Sequence, residues 1–168
     1  MTRSQSKIKN ISEIVRIVRR LKRSGKLVVS TNGCFDIIHP GHISNLEWAK
    51  AQGDALIVGI NSDSSIRALK GPKRPIVSAR DRARVLAGLE SVDYVFVFGG
   101  LSPIPWIVRV QPDLHVKGRA SVHSPAFPAE ERAVVQHGGR IILAPQINGR
   151  STTDIIERIL RKHSGKAR

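Results

Sequence analysis

The chain has 168 residues, 40% of them hydrophobic, which is enough apolar material to close one core of two or three layers. No run approaches the ~20 apolar residues a helix needs to cross a bilayer, and the polar start MTRSQSKIKN has no secretory apolar segment, so the cytoplasm is the expected location. A single cysteine, Cys34, excludes an internal disulfide and a thiolate metal cage, while the formal charge of +15 raises the question of a nucleic-acid partner.

The distribution of that charge weakens the nucleic-acid reading. Residues 1–26 hold nine Lys or Arg against Glu13, and residues 158–168 hold five with no acid, which leaves only +2 for residues 27–157. A basic N-terminal segment with an amphipathic helix (1–26) and a basic tail (161–168) therefore flank a nearly neutral domain (27–160). Like-charge blocks at chain ends are commonly just solvated, so nucleic acid is not the expected partner.

Ile11, Ile14, Val15, Val18 and Leu21 recur at helical spacing, which predicts a helix over 10–24 closed by Gly25 and packed on the domain. Leu27–Ser30 reads as a strand, Ile43–Gln52 as a helix, Ala55–Ile60 as a strand and Ser62–Leu69 as a helix. Ser78, three residues before Asp81, predicts a capping box with Asp in place of Glu, heading a helix that includes Val85, Leu86 and Leu89. Tyr94–Phe98 is the next strand, and Pro103 and Pro105 suit the first turn of a helix reaching Val110. Leu114–Val116 is a short strand, Ala129–His137 a helix ended by Gly138-Gly139, and Ile141–Leu143 a strand. Ser151-Thr152-Thr153-Asp154 caps a last helix through Leu160. About five apolar strands alternating with helices predict a three-layer α/β sandwich, Rossmann-like, with a parallel sheet covered on both faces. Ligands of such sheets bind at the carboxyl ends of the strands, near the reversal of strand order.

The first strand runs straight into Thr31-Asn32-Gly33-Cys34-Phe35-Asp36-Ile37-Ile38-His39-Pro40-Gly41-His42, with a helix close behind. Gly33 and Gly41 let backbone approach a ligand, and the helix start aims partial positive charge at the same space, so a phosphate belongs here. His39 and His42 can donate to phosphate oxygens and stabilise charge that builds as a bond breaks. Ser151, Thr152 and Thr153 offer a second helix start suited to anions; by themselves they read as a cap, and their place after the last strand of the same sheet brings the two readings level. Lys117-Gly118 ends a strand, where a lysine can place a point charge on phosphate. Lys50, Lys70 and Arg82, taken singly, read as surface charges. Cys34 reads as a small, partly buried loop residue, and His115, His123, His137 and His163 have no metal-ligand spacing.

The segments TNGCFDIIHPGH, GINSD (Gly59–Asp63), LKGPKRPIVSARDRARVLAGLESVDYV (Leu69–Val95), VKG (Val116–Gly118) and RSTTDII (Arg150–Ile156) together resemble the cytidylyltransferase-like nucleotidyltransferases. Within that family the pattern is most similar to the adenylyltransferase domain of bacterial ADP-heptose synthesis, over about residues 25–160. The resemblance implies transfer of AMP from ATP to D-glycero-β-D-manno-heptose 1-phosphate with release of pyrophosphate, and a need for Mg2+. It implies that Thr31 to Asp36, Gly41, Asn61, Lys117, Gly118 and Ser151 to Thr153 hold the nucleotide and that His39 and His42 act on the α-phosphorus. Lys50 and Arg82 match cations the family uses around phosphates. Asp63, Lys70 and Arg119 fall on the acceptor side, and no protein metal ligand is expected. Where the heptose pattern continues into Gly-Asp-Tyr this chain has Arg119-Ala120-Ser121, which puts a cation in place of an acid and favours a more anionic acceptor or a different nucleotide contact. CTP with glycerol 3-phosphate, or an adenylyl transfer to flavin mononucleotide, keeps the fold and changes the substrates. A separate sugar kinase upstream and pairing of two copies are further implications of the resemblance.

Overall fold

The computed structural model describes residues 2–145 and 151–163. Arg150 and the basic tail beyond His163 lie outside the described residues. Five strands, β1 (Val28–Gly33), β2 (Ala55–Asn61), β3 (Tyr94–Phe98), β4 (Leu114–Gly118) and β5 (Arg140–Ala144), form one sheet in the order β3-β2-β1-β4-β5. Every neighbouring pair is parallel. The chain winds outward from β1 in one direction and then returns to β4 on its other side. The order therefore reverses between β1 and β4, and the carboxyl ends of those strands are where a ligand crevice opens in this architecture.

Helices cover both faces. The helices are α1 (Arg3–Ser6), α2 (Ile11–Arg23), α3 (Pro40–Lys50), α4 (Asp63–Lys70), α5 (Ala79–Gly88), α6 (Ile104–Val110), α7 (Phe127–Val135) and α8 (Thr152–His163), with a 3-10 turn at Arg119–His123. One core layer joins Leu46 and Ala49 of α3 and Leu86 of α5 to Val29, Leu56, Val58 and Val116 on one face of the sheet. The other joins Ile14 and Val18 of α2, Trp106 and Ile107 of α6 and Val134 of α7 to Val28, Ile57 and Phe96. Ile14 and Val18 are fully or almost fully buried, and at about 1.5–3 kcal/mol for each large apolar side chain they bind α2 to the sheet. The predicted helix over 10–24 thus packs where its apolar stripe requires, and its charged face points outward.

Three features differ from the sequence reading. β1 continues to Gly33 and β4 to Gly118, because the polar residues Thr31-Asn32-Gly33 and Lys117-Gly118 stay extended beside neighbours that supply ladder partners. Ile8 adds a single parallel bridge to β3, with Lys9 N donating to Val95 O and Val95 N donating to Lys7 O. The Ser78 cap forms, its hydroxyl accepting from Asp81 N at 3.2 Å, but the Asp81 carboxylate takes the Ser78 hydroxyl at 2.7 Å instead of a backbone amide. Aspartate is one methylene shorter than the glutamate of a full box, which accounts for the change of partner.

One polar pair lies within the second core layer. His115 is wholly buried, its Nδ1 sits 2.8 Å from Ser30 Oγ, and its ring meets Trp106 edge-on at 5.6 Å. Burial, and then the Lys117 charge, push its pKa down from 6.5 to about 3. Its stabilising contribution is complete above pH 6.5, where both folded and unfolded rings are neutral, and is lost as pH falls toward 3, because only the unfolded ring takes up a proton in that window. Urea unfolding between pH 7.5 and 4.5 should therefore show a steeper fall in midpoint for the wild type than for His115→Asn; parallel curves would show that His115 does not carry the acid sensitivity.

Candidate active site

β1 and β4 are paired only as far as Thr31 and Val116. Beyond that point Asn32 and Gly33 pair with β2 alone, and Lys117 and Gly118 with β5 alone, so the two strands part company. A cavity of about 150 Å3 lies at this parting. Thr31, Asn32, Val116 and Gly118 form its sheet side, Ala144 closes it from β5, and His42, Asn45 and Leu46 of α3 form the facing wall. The Thr31 hydroxyl spans the parting to Val116 O at 2.9 Å.

The loop that leaves β1 is held by its own side chains. Phe35 adopts a left-handed backbone (φ 48), an uncommon conformation for a bulky residue, and folds its ring against Gly33, where an added Cβ would come within 3.1 Å of the ring. Pro40 occupies the first turn of α3 and His39 its N-cap, so the histidines three residues apart lie on one side of the helix start. Their rings stack at 3.8 Å between centroids, and His42 also meets Phe35 at 5.1 Å. Burial first, then the neighbouring His39 and Lys70, push the His42 pKa down to about 4, so the ring is neutral before an anion arrives. The N-terminus of α8 reaches the same loop, with Thr152 Oγ1 donating to Ile37 O at 3.3 Å and Ser151 Oγ accepting from Asp154 N at 3.1 Å. Thr153 is exposed on the first turn beside them.

Two residues expected at the phosphates are placed elsewhere. Lys50 is a correction: it ends α3 at the opposite rim of the sheet, donating to Asp93 Oδ2 at 2.7 Å and to Asp54 O at 2.6 Å, next to the starts of β3 and β2. An eleven-residue helix spans about 16 Å, so a cation at its far end cannot reach the loop at its start. Arg82 is a second correction. Its side chain is fully buried, and its three guanidinium nitrogens donate to Val77 O (2.9 Å), Cys34 O (2.6 Å), Asn61 O (2.8 Å) and Asp63 Oδ1 (2.7 Å). It ties the ends of β1 and β2 to the segment before α5, with four of its five N–H groups bonded within the protein. Asp63 is likewise committed, accepting from Ala79 N at 2.8 Å as well as from Arg82.

Asp36 is turned away from the crevice too. Its carboxylate accepts from Arg74 Nε, Ile76 N and Val77 N. Burial pushes its pKa up, but the two amides and the Arg74 guanidinium together outweigh burial and hold it below the usual carboxylate value. Lys117 pairs with the buried Glu130 of α7 at 2.5 Å and lies 3.4 Å from Asn32 Oδ1. Lys70 is exposed at the end of α4, near enough to act on His42 and Cys34, and Arg119 is exposed immediately after Gly118. Cys34 is half-buried with Sγ 3.9 Å from Asn61 Oδ1, and burial raises its thiol pKa. Asn45, Arg74 and Glu130 were not singled out from the sequence. Asn45 alone had a usable signal there, its place one helical turn after His42.

The crevice at a strand-order reversal, the paired imidazoles at a helix start and the second helix start against the same loop define an anion-binding enzyme site on a doubly wound sheet. Comparison with known proteins agrees: residues 30–158 match the cytidylyltransferase-like family model, and the chain belongs to that family and is a nucleotidyltransferase. It is 42% identical over 160 residues to the bifunctional protein HldE of Geobacter metallireducens, covering 95% of this chain and 32% of that protein. Against the HldE of Koribacter versatilis it is 45% identical over 155 residues, covering 92% and 32%. The chain thus spans about a third of the length of these relatives. Among solved structures, the lipopolysaccharide core biosynthesis protein of Thermoplasma volcanium superposes with a TM-score of 0.64 at 25% identity, over 74% of this chain and all of that one. The pantoate-beta-alanine ligase of Francisella tularensis, at 16% identity and a TM-score of 0.61, shares the fold, over 95% of this chain and 79% of that one. Among the described residues no helix is long and apolar enough to cross a membrane.

The Arg82 tether gives a stability prediction. Arg82→Met takes this donor from three carbonyls, leaves the Asp63 carboxylate without its ion-pair partner, and should cost about 3 kcal/mol in urea unfolding. Arg82→Lys, which keeps the charge but loses the fork, should cost about half as much. An Arg82→Met midpoint equal to wild type would show that the tether does not hold the fold.

Proposed function

We propose that the chain transfers AMP from ATP to D-glycero-β-D-manno-heptose 1-phosphate, releasing pyrophosphate and forming an ADP-activated sugar. The observation that supports this most is the His39–His42 stack beside the crevice, met by the Thr152 end of α8 on the same loop. The motif resemblance to the heptose branch and the 40–45% identity to HldE proteins support the choice of substrates. An acceptor phosphate oxygen attacks the α-phosphorus in line, the bond from that phosphorus to the bridging oxygen breaks, and pyrophosphate leaves. No protein nucleophile is required, because the attacking oxygen already carries negative charge.

The roles follow from that scheme. His39 and His42 donate to oxygens of the α-phosphate as charge builds on them. Ser151 to Thr153 and the amides of α8 hold the β- and γ-phosphates. Thr31, Asn32, Gly33 and Gly118 line the nucleoside end, and Lys70 and Arg119, the exposed cations at the mouth, meet the acceptor phosphate. Phosphoryl transfer of this kind needs Mg2+ to neutralise the triphosphate. Asp36 and Asp63 do not fit as its ligands, since both are taken by arginines and backbone amides. Mg2+ would therefore be supplied with the nucleotide, and its chemistry there would be charge neutralisation. A sugar kinase acts upstream to supply the 1-phosphate, the reaction belongs in the cytoplasm, and two copies of the chain pair beside the site.

Two measurements test this. Pyrophosphate release across a grid of ATP and CTP against heptose 1-phosphate, glycerol 3-phosphate and flavin mononucleotide should be greatest for ATP with the heptose; a maximum at any other pair overturns the substrate assignment. His39→Ala and His42→Ala should each lower turnover about 100-fold with the unfolding midpoint kept, as for loss of a transition-state donor, and turnover near wild type in either would remove that histidine from the mechanism.

A further inference from the structure

Two buried polar atoms face the cavity with no hydrogen-bond partner among the described residues: His42 Nδ1 and Asn45 Oδ1. They sit on α3 at i and i+3, so their side chains rise one above the other on one face of the helix. Buried polar atoms in folded proteins are almost always paired, by protein or by ordered water, and an exception calls for a specific explanation. Two oxygens on the sheet side of the cavity are already in use. The Thr31 hydroxyl bonds to Val116 O, and Asn32 Oδ1 faces Lys117. At about 150 Å3 with several polar groups on its wall, the cavity meets the conditions for holding bridging water.

We infer that Asn45 is a positioning residue for His42: a water in this cavity links Asn45 Oδ1 to the Nδ1–H of the ring, which sets the ring plane and leaves Nε2 to face the phosphates. A histidine can donate to a phosphate from Nε2 while its second N–H has somewhere to go, and Asn45 supplies that acceptor. Without it, the protonated ring would hold a buried donor unsatisfied, and the neutral ring could turn to either tautomer. The groups facing His42 are few. His39 stacks on it, Lys70 lies at the end of α4, Phe35 lies against its edge, and the cavity walls from β1, β4 and β5 add no titratable side chain. His39 and Lys70 both disfavour the protonated ring, whereas an oxygen acceptor at Nδ1 favours it.

The catalytic arm of the test rests on the transfer reaction proposed above, whereas the spectroscopic arm does not. Nitrogen NMR of ligand-free protein reads the His42 ring directly. In Asn45→Asp the His42 titration should move up by at least one pH unit from about 4, and in Asn45→Leu it should not rise and the Nδ1–H form should lose its predominance. In turnover, Asn45→Leu should lower kcat about tenfold with KM for the nucleotide within twofold, while Asn45→Asp keeps kcat within about threefold and extends activity to higher pH. Unchanged His42 signals in both variants overturn the inference even if the substrate assignment holds. A rise in nucleotide KM at constant kcat in Asn45→Leu would overturn it in favour of a direct substrate contact. If no substrate pair in the grid turns over, the NMR result still decides between a linked and an isolated ring.

Discussion

The Arg82 guanidinium is the constraint on which the crevice depends. A parallel sheet leaves the carboxyl ends of its strands without a ladder to hold the loops that follow, and here one buried cation collects three carbonyls and a carboxylate from those loops. Removing a charge from water is expensive, and the cost is met only because every guanidinium nitrogen finds an acceptor. Asp36 performs the complementary task with opposite sign, drawing Arg74 and two amides of the 74–77 segment onto the β1 loop. The loop that carries the histidines is therefore held by the Asp36–Arg74 ion pair and by the Arg82 bond to Cys34 O, and the stacked rings do not have to order it.

Much of the architecture could be read in the sequence because it rests on local rules. Apolar runs such as Ala55–Ile60 are buried on both faces and mark central strands. The spacing of Ile14 and Val18 marks a helix face, and Pro40 marks a helix start. The juxtaposition of His39 and His42 could be read because they lie within four residues at such a start. Lys50 and Arg82 could not, since their surroundings are set by tertiary contacts. Lys50 is eight residues from His42, and a helix converts that spacing into distance rather than proximity. Arg82 is nearly fifty residues from Cys34, and only the folded sheet brings its carbonyl partners together. Residue type suggested a phosphate ligand in both cases, while partner geometry makes one a surface ion pair at the far rim and the other a buried tether.

The charge pattern gains a similar reading from the fold. Lys7 and Lys22 of the basic first segment are not idle: Lys7 Nζ caps the carbonyls of Leu89 and Val92, and Lys22 pairs with Asp113 at the start of β4. Part of the N-terminal excess therefore serves to close the amino-terminal rim of the sheet. The carboxyl-end rim carries other cations, Lys70, Lys117 and Arg119 among them. Overall charge is thus a poor guide to the location of anion chemistry in this molecule.

The early parting of β1 and β4 has a consequence for how discrimination among nucleotides can change over time. From Asn32 and from Lys117 onward, each strand keeps a ladder on one flank and presents its other edge to the gap. A planar ligand in that gap meets peptide groups, much as an inserted strand would. Recognition written in peptide groups is insensitive to side-chain replacement, so mutational drift along these segments would reshape the rim while leaving the preference for any ligand held in the gap untouched until the backbone path itself shifts.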